Sequence, residues 1–113
     1  MEDLDEKVIT VAMEIILSAG DARTHATQGM KAELSGNRAE ADQCIKDAKE
    51  CIKDAHNAQT GMIQDEARGN KADFSLLLIH AQDTVMTIIS EVNMIELMIH
   101  MHRQLEDKIN GDR

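Results

Sequence analysis

The chain has 113 residues, a formal net charge of -9, no proline, six glycines and a single phenylalanine with no tryptophan or tyrosine. That size fits one domain over residues 1–113, and the excess of negative charge, with no basic cluster or aromatic platform to offset it, argues against nucleic acid or an anionic membrane surface as partner and favours a basic protein. The acidic start MEDLDEK and the lack of an apolar run of roughly 18 residues argue against a signal peptide and against direct membrane insertion, so a cytosolic protein is expected.

Abundant Ala, Leu, Met, Glu, Lys and Gln point to an all-α chain, because these side chains lose little rotamer freedom in a helix. The first predicted helix covers about 4–34, with Val8, Val11, Ile15, Ile16, Ala19, Ala22, Ala26 and Met30 at helical spacing and Gly20 a weak point in its middle. Ser35, Gly36 and Asn37 signal a turn. The second helix, about 38–68, carries Ala41, Ile45, Ala48, Ile52, Ala55, Ala58, Met62 and Ile63 on one face, while Lys46, Asp47 and Glu50 are read as solvated. Cys44 and Cys51 lie two turns apart on it, too far for a disulfide within that helix, and are expected to be buried structural thiols. Gly69 and Asn70 break the chain again, Asp73 or Ser75 is placed to cap the next helix, and this third helix is predicted over about 73–107. Connections this short predict an antiparallel up-down-up three-helix bundle. With its core left to Leu, Ile, Val, Met and Ala, a monomer would be thinly packed, and oligomerisation would help.

The third helix is apolar on two sides. Leu77, Leu78, Ala81, Val85, Ile88, Ile89, Val92, Ile95 and Ile99 form a core face, and roughly opposite lie Leu76, His80, Asp83, Thr87, Ser90, Met94, Met98 and Met101. Gln82 and Asn93 mark one polar seam between the faces, and Thr84, Glu91 and His102 the other. A three-helix subunit covers only one of these faces, so the second is expected to meet copies of itself around a rotation axis. Symmetry copies of Asp83 would then crowd together, and either they retain protons or a hard cation with oxygen ligands, expected to be Mg²⁺, neutralises them.

His80 can be read as an interface histidine satisfied by hydrogen bonds, or as a nucleophile, since neutral imidazole accepts a phosphoryl group near pH 7 without a separate base. No phosphate loop, Ser/His/Asp order or carboxylate pair marks a different reaction centre. Gln82 serves equally well as a seam residue or as a polar support, a structural hydrogen bond is expected for His56, and His100 and His102 sit where a cation suits the end of a helix. His25 has no evident partner.

The segment LLLIHAQDTVM resembles LLLVHAQDHLM, the signature of the lactose/cellobiose (also chitobiose) family of enzyme IIA components of the bacterial sugar phosphotransferase system. EIILSAGDAR, from Glu14 to Arg23, and AHNAQTGMIQDEARG, from Ala55 to Gly69, are similar to two further family segments in the same order, so the resemblance spans nearly the whole chain. It implies a cytosolic homotrimer of three-helix subunits forming a nine-helix bundle. His80 would accept phosphate from the histidine-containing phosphocarrier protein and pass it to a cysteine of the cognate enzyme IIB, driving uptake and phosphorylation of a disaccharide. Asp83 would hold a divalent cation, Mg²⁺, shared by the three subunits. Where the family usually has a second histidine after that aspartate, this chain has Thr84, which cannot donate or accept through an imidazole, so altered contacts beside the site are expected rather than lost phosphorylation. A rival reading is a non-enzymatic helical interaction module that docks partner helices on its Met-rich face.

Overall fold

A computed structural model describes residues 2–69 and 76–111 and places them in three helices: α1, Glu2–Leu34; α2, Arg38–Ala67; and α3, Leu76–Gly111. No strand occurs among the described residues. The expected limits of α1 and α2 hold to within two residues. Helix α3 runs past the predicted 107 to Gly111, because Asp107, Lys108, Ile109 and Asn110 contain no breaker strong enough to stop it. Asp73 and Ser75, the expected caps, lie outside the described residues.

The first corner is built from hydrogen bonds local to the sequence. Gly36 takes a φ of 85°, a conformation that only glycine adopts without strain, and its N–H donates to Glu33 O at 3.0 Å while Asn37 N–H donates to Ala32 O at 2.9 Å. These bonds use up carbonyls at the end of α1. Asn37 then caps α2: its Oδ1 accepts from Glu40 N–H at 3.1 Å, and its Nδ2 donates to Glu40 Oε2 at 3.1 Å. A residue read from sequence as a turn signal therefore also starts the next helix.

The core is rich in alanine. Ala12, Ala19, Ala22 and Ala26 of α1 and Ala48 and Ala55 of α2 are fully buried, so those two backbones approach closely, and Ile15, Ile45, Val85, Ile88 and Val92 fill the space between the helices. Helix α1 packs along both partners, whereas α2 and α3 touch each other least. Every residue assigned to the core face of α3 is buried or packs against the buried cluster. By length and composition alone α3 reaches the range of a membrane-crossing helix, contrary to the sequence reading. Its inner face meets α1 across Ala81, Val85 and Ile88, however, as does the core helix of a bundle.

Gly29 marks the tightest approach of α1 to α2. A Cβ there would lie 3.1 Å from Cys44 Cβ, 3.3 Å from Ala41 O and 3.3 Å from Ile45 Cδ1. Alanine forces shifts of tenths of an ångström, and a leucine would have to push the helices apart. Gly29→Leu is therefore expected to destabilise the fold by roughly 2–3 kcal/mol, read as a lower urea midpoint at unchanged slope. A midpoint equal to the wild type would contradict this packing.

Both cysteines are half-buried rather than buried, and they are free. Desolvation, reinforced by neighbouring carboxylates, pushes both thiols above their ordinary pKa, which keeps them protonated and unreactive. Lys46 and Glu50 are exposed as expected, and Asp47, half-buried, accepts a hydrogen bond from Gln43 Nε2 at 2.9 Å.

Exposed ion pairs join the helices: Lys7 to Asp65 at 3.0 Å, Arg23 to Glu91 at 2.7 Å, Arg38 to Asp107 at 2.6 Å and Lys49 to Glu96 at 2.5 Å. At these exposures each contributes little stability, but together they fix the register of the helices. One carboxylate behaves differently. Glu33 is only 1% exposed, and it accepts hydrogen bonds from Arg103 Nε at 2.8 Å on Oε1 and from His102 Nδ1 at 2.9 Å on Oε2. Arg103 also reaches Asp42 Oδ1 at 2.9 Å and the carbonyl of Arg38 at 3.2 Å, so this one guanidinium ties α1, α2 and α3 together.

Candidate functional site

His80 lies in the second turn of α3 with its ring exposed, and Asp83 comes one turn later, also exposed, on the same face. Gln82 and Thr84 flank them half-buried, as seam positions should. Neither His80 nor Asp83 makes a side-chain hydrogen bond to another described residue, so within one chain the imidazole is open to whatever approaches this face. The face continues along the helix through Thr87, Ser90, Met94, Met98 and Met101, all exposed, with a 690 Å³ depression bordered by Met86, Thr87, Ser90 and Met94.

The structure adds a periodicity to this face. Leu76, His80, Asp83, Thr87, Ser90, Met94, Leu97 and Met101 are all exposed and succeed one another at alternating steps of four and three. Ala81, Val85, Ile88, Val92, Ile95 and Ile99 repeat the same alternation on the inner face. That step of 3.5 residues is the spacing by which helices wind around one another. Helix α3 thus carries two seams of coiled-coil type, one packed on the chain's own core and one that no helix covers among the described residues.

Sequence reading missed a second apolar strip. Ile9, Met13 and Leu17 of α1 recur at every fourth residue and are 52%, 43% and 62% exposed. Hydrogen bonds pair α1 with α3 at sequence separations of 68 (Arg23 with Glu91) and 69 (Glu33 with His102), which sets Ile9, Met13 and Leu17 at the height of the His80 segment. Helical spacing was the available signal, but the stronger core stripe of α1 masks it. Leu97, Leu105 and Ile109 extend the exposed apolar surface of α3 beyond the residues expected there.

The remaining histidines sort themselves by geometry. His102, read as a charge suited to a helix end, is instead bonded to buried Glu33, and His100 lies 3.3 Å from Gln104 Nε2. His56 is exposed and its side chain makes no hydrogen bond among the described residues, so the expected structural bond is absent there. Arg23 grips Glu91 through two bonds of 2.7 and 2.8 Å, which hold the Glu91 carboxyl below the ordinary carboxylate range.

An all-α subunit with an open histidine on an amphipathic helix suits a group carrier that docks against other proteins. Residues 10–103 match the family model described as the lactose/cellobiose-specific IIA subunit of the phosphotransferase system. The chain is 35% identical over 99 residues to the lactose-specific EIIA component of Lactococcus lactis subsp. lactis, covering 88% of this chain and 94% of that one. The fold is similar to the crystal structure of the cellobiose-specific enzyme IIA from Bacillus anthracis, with a TM-score of 0.83 and 40% identity over 88% of this chain and 91% of that one. It is also similar to the IIA(Chitobiose) of the N,N'-diacetylchitobiose branch in Escherichia coli, whose solution structure is a complex with HPr, at a TM-score of 0.78 and 30% identity over 88% and 96% of the two chains. The chain belongs to the lactose/cellobiose-specific IIA family, whose members are phosphotransfer components of the sugar phosphotransferase system.

Proposed function

We propose that this chain is the phosphoryl carrier of a sugar phosphotransferase system, with His80 as the residue that carries the phosphate in the cytosol. The observation that carries this reading is the exposed imidazole of His80 within LLLIHAQDTVM on α3, next to apolar surface on which a partner can dock. The donor is the phosphocarrier protein HPr, with which the related chitobiose protein forms its complex. A lone pair of a neutral His80 ring nitrogen attacks phosphorus as the P–N bond to the donor's histidine breaks, and the second ring nitrogen keeps its proton. In the next step the P–N bond at His80 breaks while a P–S bond forms on a cysteine thiolate of enzyme IIB, which drives uptake and phosphorylation of a disaccharide. Such transfer passes through a loose transition state, so it demands alignment of donor and acceptor more than additional catalytic groups.

Three up-down-up subunits would assemble as a homotrimer, a nine-helix bundle, through the outer seam of α3, whose regular step is what supports the assignment. Asp83 sits in that seam, so three carboxylates would converge at the axis. This donor set fits a hard divalent cation such as Mg²⁺, which would neutralise the clustered charge. Asp83→Leu is expected to leave the trimer intact in sedimentation and to remove the bound cation in elemental analysis, since charge and cation disappear together. Dissociation to monomers, or a cation retained at full occupancy, would argue against an axial Asp83.

The test of function is mass spectrometry after incubation with phosphoenolpyruvate and the general phosphotransferase proteins, where a gain of one phosphate per chain is expected. An unchanged mass would favour the alternative, a helical interaction module that uses exposed Met94, Met98 and Met101 to bind partner helices.

A further inference from the structure

We propose that Glu33, His102 and Glu106 form a binding site for a transition-metal dication of the zinc class, at the opposite end of α3 from His80. His102 and Glu106 are one turn apart on α3, and Glu33 reaches them from the last turn of α1. His102 Nδ1 is 2.9 Å from Glu33 Oε2 and 3.5 Å from Glu106 Oε2, and all three ligand atoms lie within 4.8 Å of one another. Ligand atoms bonded at about 2.0–2.2 Å in a tetrahedron stand roughly 3.4 Å apart, so the existing spacing closes on an ion with small rotations of the half-buried Glu106 side chain.

Three features favour an ion over hydrogen bonds alone. Nδ1 carries at most one proton, yet two carboxylate oxygens face it, whereas a dication serves both at once. Arg103 holds Oε1 of Glu33, which aims the buried Oε2 into the trio and leaves it available as a ligand. A 380 Å³ hollow lined by His102 and Glu106, with Leu34, Leu105 and Ile109 around it, opens the site to solvent and leaves room for water to complete the coordination. The imidazole ligand selects the metal class, because nitrogen donors suit Zn²⁺, Ni²⁺ or Co²⁺ and not Mg²⁺. About 22 residues of helix, roughly 33 Å, separate His102 from His80, so this site is distinct from the phosphoryl-transfer face.

The test uses the full chain and Zn²⁺ alone, titrated by calorimetry at neutral pH. One ion per chain is expected at this site. His102→Gln and Glu106→Gln should each weaken its binding by at least roughly tenfold, while His100→Gln and Asp83→Leu should leave it unchanged. The Glu106 side chain is 40% exposed, so its variant folds whatever happens to variants of Glu33. The proposal is overturned if the wild type takes up no Zn²⁺, if Glu106→Gln binds as tightly as the wild type, or if only the His100 or Asp83 variant loses the ion.

Discussion

His80→Gln is expected to yield a protein that folds, assembles and takes up no phosphate. Glutamine preserves polarity and approximate length, but its amide nitrogen lone pair is delocalised into the carbonyl, so it offers no nucleophile to phosphorus. The ring is exposed and makes no side-chain hydrogen bond to a described residue, so little folding energy depends on it. Helical content and sedimentation should match the wild type, while transfer from phosphorylated donor falls by at least roughly 10³-fold. Stoichiometric labelling of this variant would move the phosphate to another residue. His25, His56, His100 and His102 would then be the candidates, to be separated by peptide mapping.

Glu33→Gln should have the largest effect on stability of any single polar substitution among the described residues. The carboxylate is 1% exposed and meets Arg103 and His102, whose side chains remain 23% and 32% exposed. Removing its charge leaves the Arg103 guanidinium with Asp42 as its one remaining carboxylate, and puts an amide N–H group against a donor. A loss of about 2–4 kcal/mol is expected, at the lower end for a buried pair because the cations keep access to solvent. At fixed protein concentration that corresponds to a melting temperature lower by roughly 10–20 °C. Burial alone would raise the Glu33 carboxyl, but the hydrogen bonds and charges of His102 and Arg103 outweigh it and hold the carboxyl below its ordinary range. Its folded pKa is therefore lower than its unfolded one. The stabilisation is fully present above the ordinary glutamate pKa and drains away as pH falls through the lower folded value. With a chelator present throughout, wild type should lose stability on that acid limb more steeply than Glu33→Gln. Parallel limbs would remove Glu33 from the acid response.

The core of this protein could be read from its sequence because helical spacing is a one-dimensional property: the nine residues assigned to the inner face of α3 all pack inward, as do Val8, Ile15 and Ala22 of α1. The same logic separated His80 and Asp83 from that face and placed them on an exposed one. Glu33 could not be read this way. Its position, three residues beyond Met30 and seven beyond Ala26, falls on the buried stripe, but a carboxylate there is stable only if cations from a distant segment arrive, and spacing along one helix does not reveal which residues of another lie opposite. Only the register of α1 against α3 brings Arg103 and His102 to it. Ile9, Met13 and Leu17 are a different case, since a helix with two apolar stripes gives a blurred periodicity in which the stronger stripe hides the weaker.

The two 3.5-residue seams on α3 have a consequence for how this chain can vary. Helices of a soluble bundle ordinarily have a broad solvent face on which substitutions accumulate without effect. Here the inner seam answers to the subunit's own core and the outer one to the phosphoryl transfer and the assembly proposed for that face, so the freely variable part of α3 shrinks to the narrow strips between them, at positions such as Asn93 and Gln104. Sequence drift in relatives should therefore collect on α2, whose outward face bears Lys46, Glu50 and Lys53, and α3 should keep the most recognisable stretch of the chain even where the sugar served has changed.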